Sequence, residues 1–275
     1  MKLLIFGGNG MAGHMLVEFF KRRNNVEVFY TTRNPKDKNG LILDALDDHL
    51  VEHTIETVRP DIIINAIGIL NQFANQNIFD AYHINGFLPH KLRSAADRIG
   101  ARLIHISTDC VFEGTRGSYS ESDLPDGIST YALTKAIGEV DAPGHLTIRT
   151  SIIGPEIRLE GIGLLNWFMQ QRGRVQGYRN VLWNGVTTLE LARAISVLML
   201  SPLSGILHLA HPKPVSKYEL LLLFKDTWGL QEIDVVASDT PVQDRTLLST
   251  RMEMDYSLPD YPLMMKELKI WMNGA

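Results

Sequence analysis

The chain has a single cysteine, Cys110, in 275 residues. That excludes an intrachain disulfide and fits a reducing compartment, so a cytoplasmic protein is expected. Met1–Phe6 is apolar but too short for a signal peptide. Basic residues are fewer than acidic ones, 27 against 31, for a net charge of −4. With no basic stripe, a nucleic-acid partner is not expected. The nine histidines form no His-Glu-x-x-His and pair with no cysteine, so no metal is expected. One uncharged stretch, 194–212, is long enough to raise the question of a membrane. Ser201-Pro202-Leu203-Ser204-Gly205 breaks it in the middle, so no membrane partner is expected. There is no internal repeat and no low-complexity segment.

What is present begins with Lys2–Phe6, an apolar run without alternation, as a strand buried on both faces should be. Gly7-Gly8-Asn9-Gly10-Met11-Ala12-Gly13 follows, and then helical spacing from His14 to Arg23 with Met15, Leu16, Phe19 and Phe20 on one side. Strand, glycine turn and helix in that order are the setting of a dinucleotide-binding fingerprint, whose backbone N–H groups receive a pyrophosphate. The second strand, Val26–Thr32, ends in Tyr30-Thr31-Thr32-Arg33, where an NAD site would carry an acidic residue. Arg33 suits a 2′-phosphate instead, with Thr31 or Thr32 helping, which favours NADP(H); NAD(H) is the alternative. The bland reading of Arg33 is a solvated loop residue.

Further strands are expected at 41–44, 61–68, 102–109 and 146–153, with helices at 47–58 and 76–99. The alternation predicts an α/β fold, a doubly wound parallel sheet of the Rossmann type. Ligands of such sheets bind beyond the strand C-termini, and Gly7, Arg33, Asp44, Ala66, Thr108 and Thr150 fall at or near such ends. After Gly154 the pattern loosens. Helices are expected at 162–172, 188–200, 216–228 and 261–272, and a last core strand at 205–210.

Ser129 to Glu139 reads S-T-Y-A-L-T-K-A-I-G-E. Ser129 or Thr130 can cap a helix there, and a spacing of four puts Tyr131 and Lys135 on one face. A lysine charge beside a phenol favours proton exchange near neutral pH. Such pairs are also frequent on exposed helices, so the surrounding motifs decide.

Those motifs are the glycines at 7, 10 and 13, Asn65-Ala66, Ser107-Thr108-Asp109-Cys110-Val111-Phe112-Glu113-Gly114, Tyr131 to Glu139, Arg149-Thr150-Ser151 and Gly205–Ala210. Together they resemble the extended short-chain dehydrogenase/reductase family, and within it the dTDP-4-dehydrorhamnose reductase branch. Cys110 and Ile152 depart from aromatic residues of that branch, which leaves the particular sugar and base open. The resemblance implies an NADPH-dependent reductase of a nucleotide-linked 4-keto-6-deoxysugar, with Thr108, Tyr131 and Lys135 catalytic. It implies a cofactor site of Gly7, Asn9, Gly10, Met11, Ala12, Thr32, Arg33, Asp44, Ala66 and Ile67, joined by Tyr131 and Lys135. It implies substrate contacts from Thr108, Asp109, Cys110, Val111, Phe112, Tyr131, Trp183 and Asn184. For Trp183 and Asn184 a core tryptophan and a turn asparagine are the competing reading. Cys110 reads as a small pocket wall rather than a nucleophile, since no histidine stands beside it. Asn85 is either the family's helix asparagine, ordering water near the lysine, or an ordinary satisfied polar residue. The expected division is a cofactor-binding domain at 1–153 with 185–210 returning to it, and a substrate-binding part at 154–184 and 211–275. A homodimer is allowed. The alternatives are an epimerase or dehydratase with tightly held NAD, which Arg33 opposes, and a regulatory subunit that binds NADP(H) without turnover.

Overall fold

Alternate residues of the first strand face opposite ways. Leu3 and Ile5 join one apolar cluster, Leu4 and Phe6 another, and all four are fully buried. A strand can satisfy both clusters only inside a sheet covered on both sides. The structure, a computed structural model, describes residues 1–157, 161–251, 253–254 and 256–274. Its central sheet has seven strands in the order Gly205–His208, Leu146–Thr150, Arg102–Thr108, Ile62–Asn65, Lys2–Phe6, Glu27–Thr32, Leu41–Ile42. Every neighbouring pair in it is parallel. The order reverses beside Lys2–Phe6, so the crevice lies between the ends of that strand and Ile62–Asn65. The fold is therefore the doubly wound parallel α/β sheet expected.

The helices Met11–Lys21 and Thr188–Leu198 contribute to one cluster, and Asp48–Val58 and Leu88–Ile99 to the other. Beyond residue 154 the chain adds two small sheets and the helices Lys217–Trp228 and Tyr261–Gly274. No described helix is long and apolar enough to cross a membrane.

Several expectations are corrected. The single helix at 76–99 is three pieces, Ile78–Ala81, a π-helical Tyr82–Phe87 and Leu88–Ile99, preceded by a separate helix Asn71–Gln76. Pro89 has no N–H for the Asn85 carbonyl four residues back. That carbonyl is instead packed against Gly138, where an added Cβ would lie 1.8 Å from it. The strand at 146–153 stops at Thr150, and Ile152–Ile153 pairs with Val186–Thr187 in a separate sheet. The helix at 162–172 shortens to Leu164–Met169. A parallel pair, Gly173–Tyr178 with Ile233–Ser238, occupies segments to which no element was assigned.

The eight-residue helix Thr130–Ile137 is too short to be stable alone. The Ser129 hydroxyl accepts from the Ala132 N–H at its start. Just past its end, the Glu139 carboxylate receives two bonds of 2.7 Å from Arg149, which is 1 % exposed. Ser107 also donates to Glu139, at 2.8 Å. Removing one partner of such a buried pair strands the other's charge. Glu139→Gln is therefore expected to lower unfolding stability by about 3–5 kcal/mol in a urea titration. A loss below about 1 kcal/mol would mean the pair does not anchor the helix.

Candidate active site

Gly7 has φ +87°, a backbone few side chains tolerate. An added Cβ at Gly13 would lie 2.0 Å from the Gly7 carbonyl oxygen, so only glycine lets helix and strand pack this closely. The turn is fastened to the second strand. The Gly7 N–H donates to the Thr31 hydroxyl and the Gly8 N–H to the Thr31 carbonyl, at 3.0 and 2.9 Å. Asn9 donates to the Thr32 hydroxyl at 3.0 Å. Gly10 precedes the helix as its cap, Met11 begins it, and Ala12 is buried beneath. Thr31 thus holds the turn through its oxygens. Thr32 accepts from Asn9 and from the Asn34 N–H, leaving its own proton to give. Arg33 is exposed beside it, Asp44 is exposed past the third strand, and Ala66 and Ile67 are half-buried past the fourth. All of them lie along the one edge where the strands end. The cradle therefore suits a dinucleotide.

At the same edge Thr108 ends its strand. Its hydroxyl accepts from the Cys110 N–H and donates to Asp109, both at 3.1 Å. Tyr131 lies close enough to Thr108 for that hydroxyl to act on its titration. Burial pushes the Tyr131 pKa up, with Cys110 and Asp109 adding to the rise, while Thr108 pulls it down. The phenol therefore holds its proton at neutral pH. Lys135 is 3 % exposed. Its ammonium is not hydrogen-bonded to Tyr131 but donates to the Ile106 carbonyl at 2.8 Å and lies 3.2 Å from His105 Nε2. Burial lowers its pKa to about 8, against a smaller opposing pull from Glu139. Spacing of four puts phenol and amine on one helix face, and the sheet then turns the amine inward.

Other residues have different parts from those expected. Val111 and Phe112 are fully buried, and Phe112 stacks on Tyr119 at 4.2 Å. They prop the Thr108 loop and offer a substrate no surface. Trp183 is 3 % exposed and packs against Tyr261. The Asn184 amide donates to the His211 and Leu247 carbonyls and accepts from the Leu247 N–H, so it is a strap rather than a contact. Asn85 exchanges two bonds with Ile69 and donates to Thr134, which assigns it to the helix break, not to the lysine. Cys110 is a wall residue. Burial pushes its thiol up to about 12, with Asp109 adding to the rise, and Arg245 donates to the sulfur at 3.6 Å.

Two cations that the sequence reading missed face this wall. Burial lowers the Lys217 pKa and the Asp109 charge opposes that fall, and the ammonium sits 5.6 Å over the Trp183 ring. Arg245 acts on Asp109 too, and its buried Nε has no partner. Burial raises the Asp109 pKa, and these two cations oppose the rise. They come from more than 100 positions along the chain. The signal for them lies only in the pairing of their segments. The Asp244 N–H donates to the Gly114 carbonyl, and the Tyr119 N–H to the Thr246 carbonyl. Among the described residues there is no cluster of metal-ligating side chains.

A parallel doubly wound sheet, a glycine turn at its switch point and a Thr/Tyr/Lys set on the same edge define an extended short-chain dehydrogenase/reductase, a class of NAD(P)-dependent oxidoreductases. The chain belongs to the RmlD substrate binding domain family, which it matches over residues 1–246. It is 26% identical over 256 residues to methionine adenosyltransferase 2 subunit beta of Bos taurus, covering 88% of this chain and 76% of that protein. It is 30% identical over 156 residues to a dTDP-4-dehydrorhamnose reductase of Aggregatibacter actinomycetemcomitans, covering 54% and 51%. A dTDP-4-dehydrorhamnose reductase of Bacillus anthracis str. Ames, solved in complex with NADP, superposes with a TM-score of 0.82 at 20% identity, over 98% of this chain and 99% of that one. At that identity the likeness is one of fold.

The cradle makes its own prediction. Gly13→Ala forces a methyl against the Gly7 carbonyl and should weaken dinucleotide binding at least about tenfold, or 1.4 kcal/mol, in a fluorescence titration. Unchanged affinity would place the cofactor elsewhere.

Proposed function

We propose that this chain is an NADPH-dependent reductase of a nucleotide-linked 4-keto-6-deoxysugar, in polysaccharide-precursor synthesis. The observation that carries the reading is a buried Tyr131 phenol that keeps its proton and feels Thr108, on the edge where the glycine turn lies. NADPH would supply the hydride. A phenol that keeps its proton is ready to give it to an alkoxide, which is the task of an acid in reduction. Thr108 turns its proton from Asp109 to the same oxygen, an oxyanion-type contribution. Lys135 approaches from beneath and stabilises the phenolate left behind.

The wall favours an anionic substrate. Lys217 and Arg245 both act on Asp109 there, and burial lowers the Lys217 pKa. A diphosphate suits those two cationic side chains, and its binding can orient the reacting carbonyl. In this reading 154–184 and 211–275 form the substrate part. The Met11 methyl lies close to Gly163, so that part meets the cofactor turn. A cytoplasmic location and a homodimer complete the reading.

Arg33, exposed beside Thr32, supports a preference for NADPH over NADH. Titration of both cofactors is expected to show it, and Arg33→Asp to erase or reverse it; equal affinities in the unaltered protein would remove that assignment. Tyr131→Phe should bind cofactor normally and lose about 10²–10⁴-fold in turnover, measured as NADPH oxidation with dTDP-, UDP- and GDP-linked 4-keto-6-deoxysugars. A near-normal kcat in that variant would give Tyr131 another task. A second reading has its own support in the likeness to methionine adenosyltransferase 2 subunit beta over 88% of the chain. Tight NADP(H) binding, no turnover across the panel and a stable complex with a methionine adenosyltransferase catalytic subunit would favour that regulatory reading.

A further inference from the structure

His105 is fully buried in the middle of its strand and has no place in the mechanism above. Both of its ring nitrogens meet nitrogen. Nδ1 lies 3.1 Å from the Asn65 amide nitrogen, and Nε2 lies 3.2 Å from the Lys135 Nζ. A neutral imidazole carries one proton, so it can accept from only one of two donors.

The conflict has one resolution that keeps every neighbouring bond. The Asn65 Oδ1 accepts from the Ile67 N–H at 3.1 Å. That bond fixes the amide, so its NH₂ must face His105 and donate to Nδ1. The ring proton then sits on Nε2 and points at Lys135. An ammonium has no lone pair to receive it, whereas a neutral amine does. The other N–H bond of Lys135, to the Ile106 carbonyl, is compatible with either form.

We propose that His105 is a positioning residue, held by Asn65 as the Nε2–H tautomer, which donates to Lys135 and favours its neutral amine. Charging Lys135 then puts N–H against N–H. The strain is relieved only if the ring moves its proton to Nδ1 and the Asn65 amide turns over, giving up the Ile67 N–H. Asn65–Ile67 is the turn at the switch-point crevice. The proton on Lys135 is thereby linked to the shape of that turn.

The direction agrees with the surroundings. Burial keeps His105 neutral, and the charges of Lys135 and His90 act the same way. Other groups face Lys135. Glu139 on its own helix favours the ammonium but is engaged by Arg149 from the neighbouring strand, and Tyr131 lies one turn earlier and is protonated. Within this set His105 is the group whose tautomer decides whether Lys135 meets a donor or an acceptor. The consequence for proton delivery rests on the reductase reading; the geometry and its test do not.

The test uses the intact chain without substrate. Nitrogen-15 NMR of histidine-labelled protein reads the tautomer, with His105 assigned by its loss in His105→Phe. The expected result, at a pH of about 10 where Lys135 is neutral, is a proton on Nε2 and a bare Nδ1. A proton on Nδ1 at that pH would overturn the proposal. Lysine ε-carbon NMR then follows Lys135, whose midpoint is expected near 8. In His105→Phe the midpoint should rise by roughly one pH unit, because a bond to the neutral amine has been lost. Had Nε2 instead accepted from the ammonium, the same substitution would lower the midpoint, which would also overturn the proposal. Should His105→Phe fail to fold, His105→Gln serves for the assignment, and the tautomer of the unaltered protein decides alone.

Discussion

The Glu139–Arg149 pair is the contact on which the site depends. Its two parallel bonds of 2.7 Å join the segment after the Tyr131 helix to the neighbouring strand. Ser107 adds a bond from the strand that ends in Thr108. Three elements thus share one carboxylate, and each carries a residue of the candidate site or its immediate neighbour. A bidentate guanidinium–carboxylate pair fixes direction as well as distance, which a single lysine contact would not. The Arg149 guanidinium also lies 5.1 Å over the Phe112 ring, so the same group supports the loop after Thr108. Charge burial of this kind gives little net stability by itself. What it gives here is one fixed placement for a short helix that has few other means of holding its position.

From that placement the chemistry follows. Tyr131 is held at the strand edge with its proton retained by burial, and Lys135 is carried inward to His105 and Ile106. The glycine turn is built independently, by Gly7, Gly13 and Thr31, on the other side of the crevice. The late segment at 243–248 closes the third side through its bonds to Gly114 and Tyr119 and brings Arg245 with it. Cofactor cradle, proton donor and anion-facing wall thus come from three separate stretches. The parallel sheet gives them a common edge.

Much of this was legible in the sequence because buried parallel strands read as plain apolar runs, and the capped helix at Ser129 announces its own start. Gly7 and Gly13 were legible because few alternatives to glycine fit such a turn. At Asn85 the sequence shows Pro89, which removes an N–H from the helix, but not the Gly138 contact that receives the freed carbonyl, 53 positions away. Val111 and Phe112 read as pocket residues because they stand inside a recognisable motif, whereas Trp183 and Asn184 stand in a segment that departs from the family's pattern. A motif does not distinguish a residue that lines a site from one that props it, and all four side chains are buried. Lys217 and Arg245 show the reverse case. Nothing adjacent to them in sequence marks them, and only tertiary pairing brings their charges to the wall.

The central claim is that this edge delivers hydride to a sugar ketone while Tyr131 supplies the proton. It is tested most directly by following the label from NADPH deuterated at the transferable position of the nicotinamide. Incubated with a nucleotide-linked 4-keto-6-deoxysugar, the protein should return a product carrying one deuterium on the new carbinol carbon, read by mass spectrometry. A product without deuterium at that carbon, or no product at all while the labelled cofactor stays tightly bound, would contradict the account.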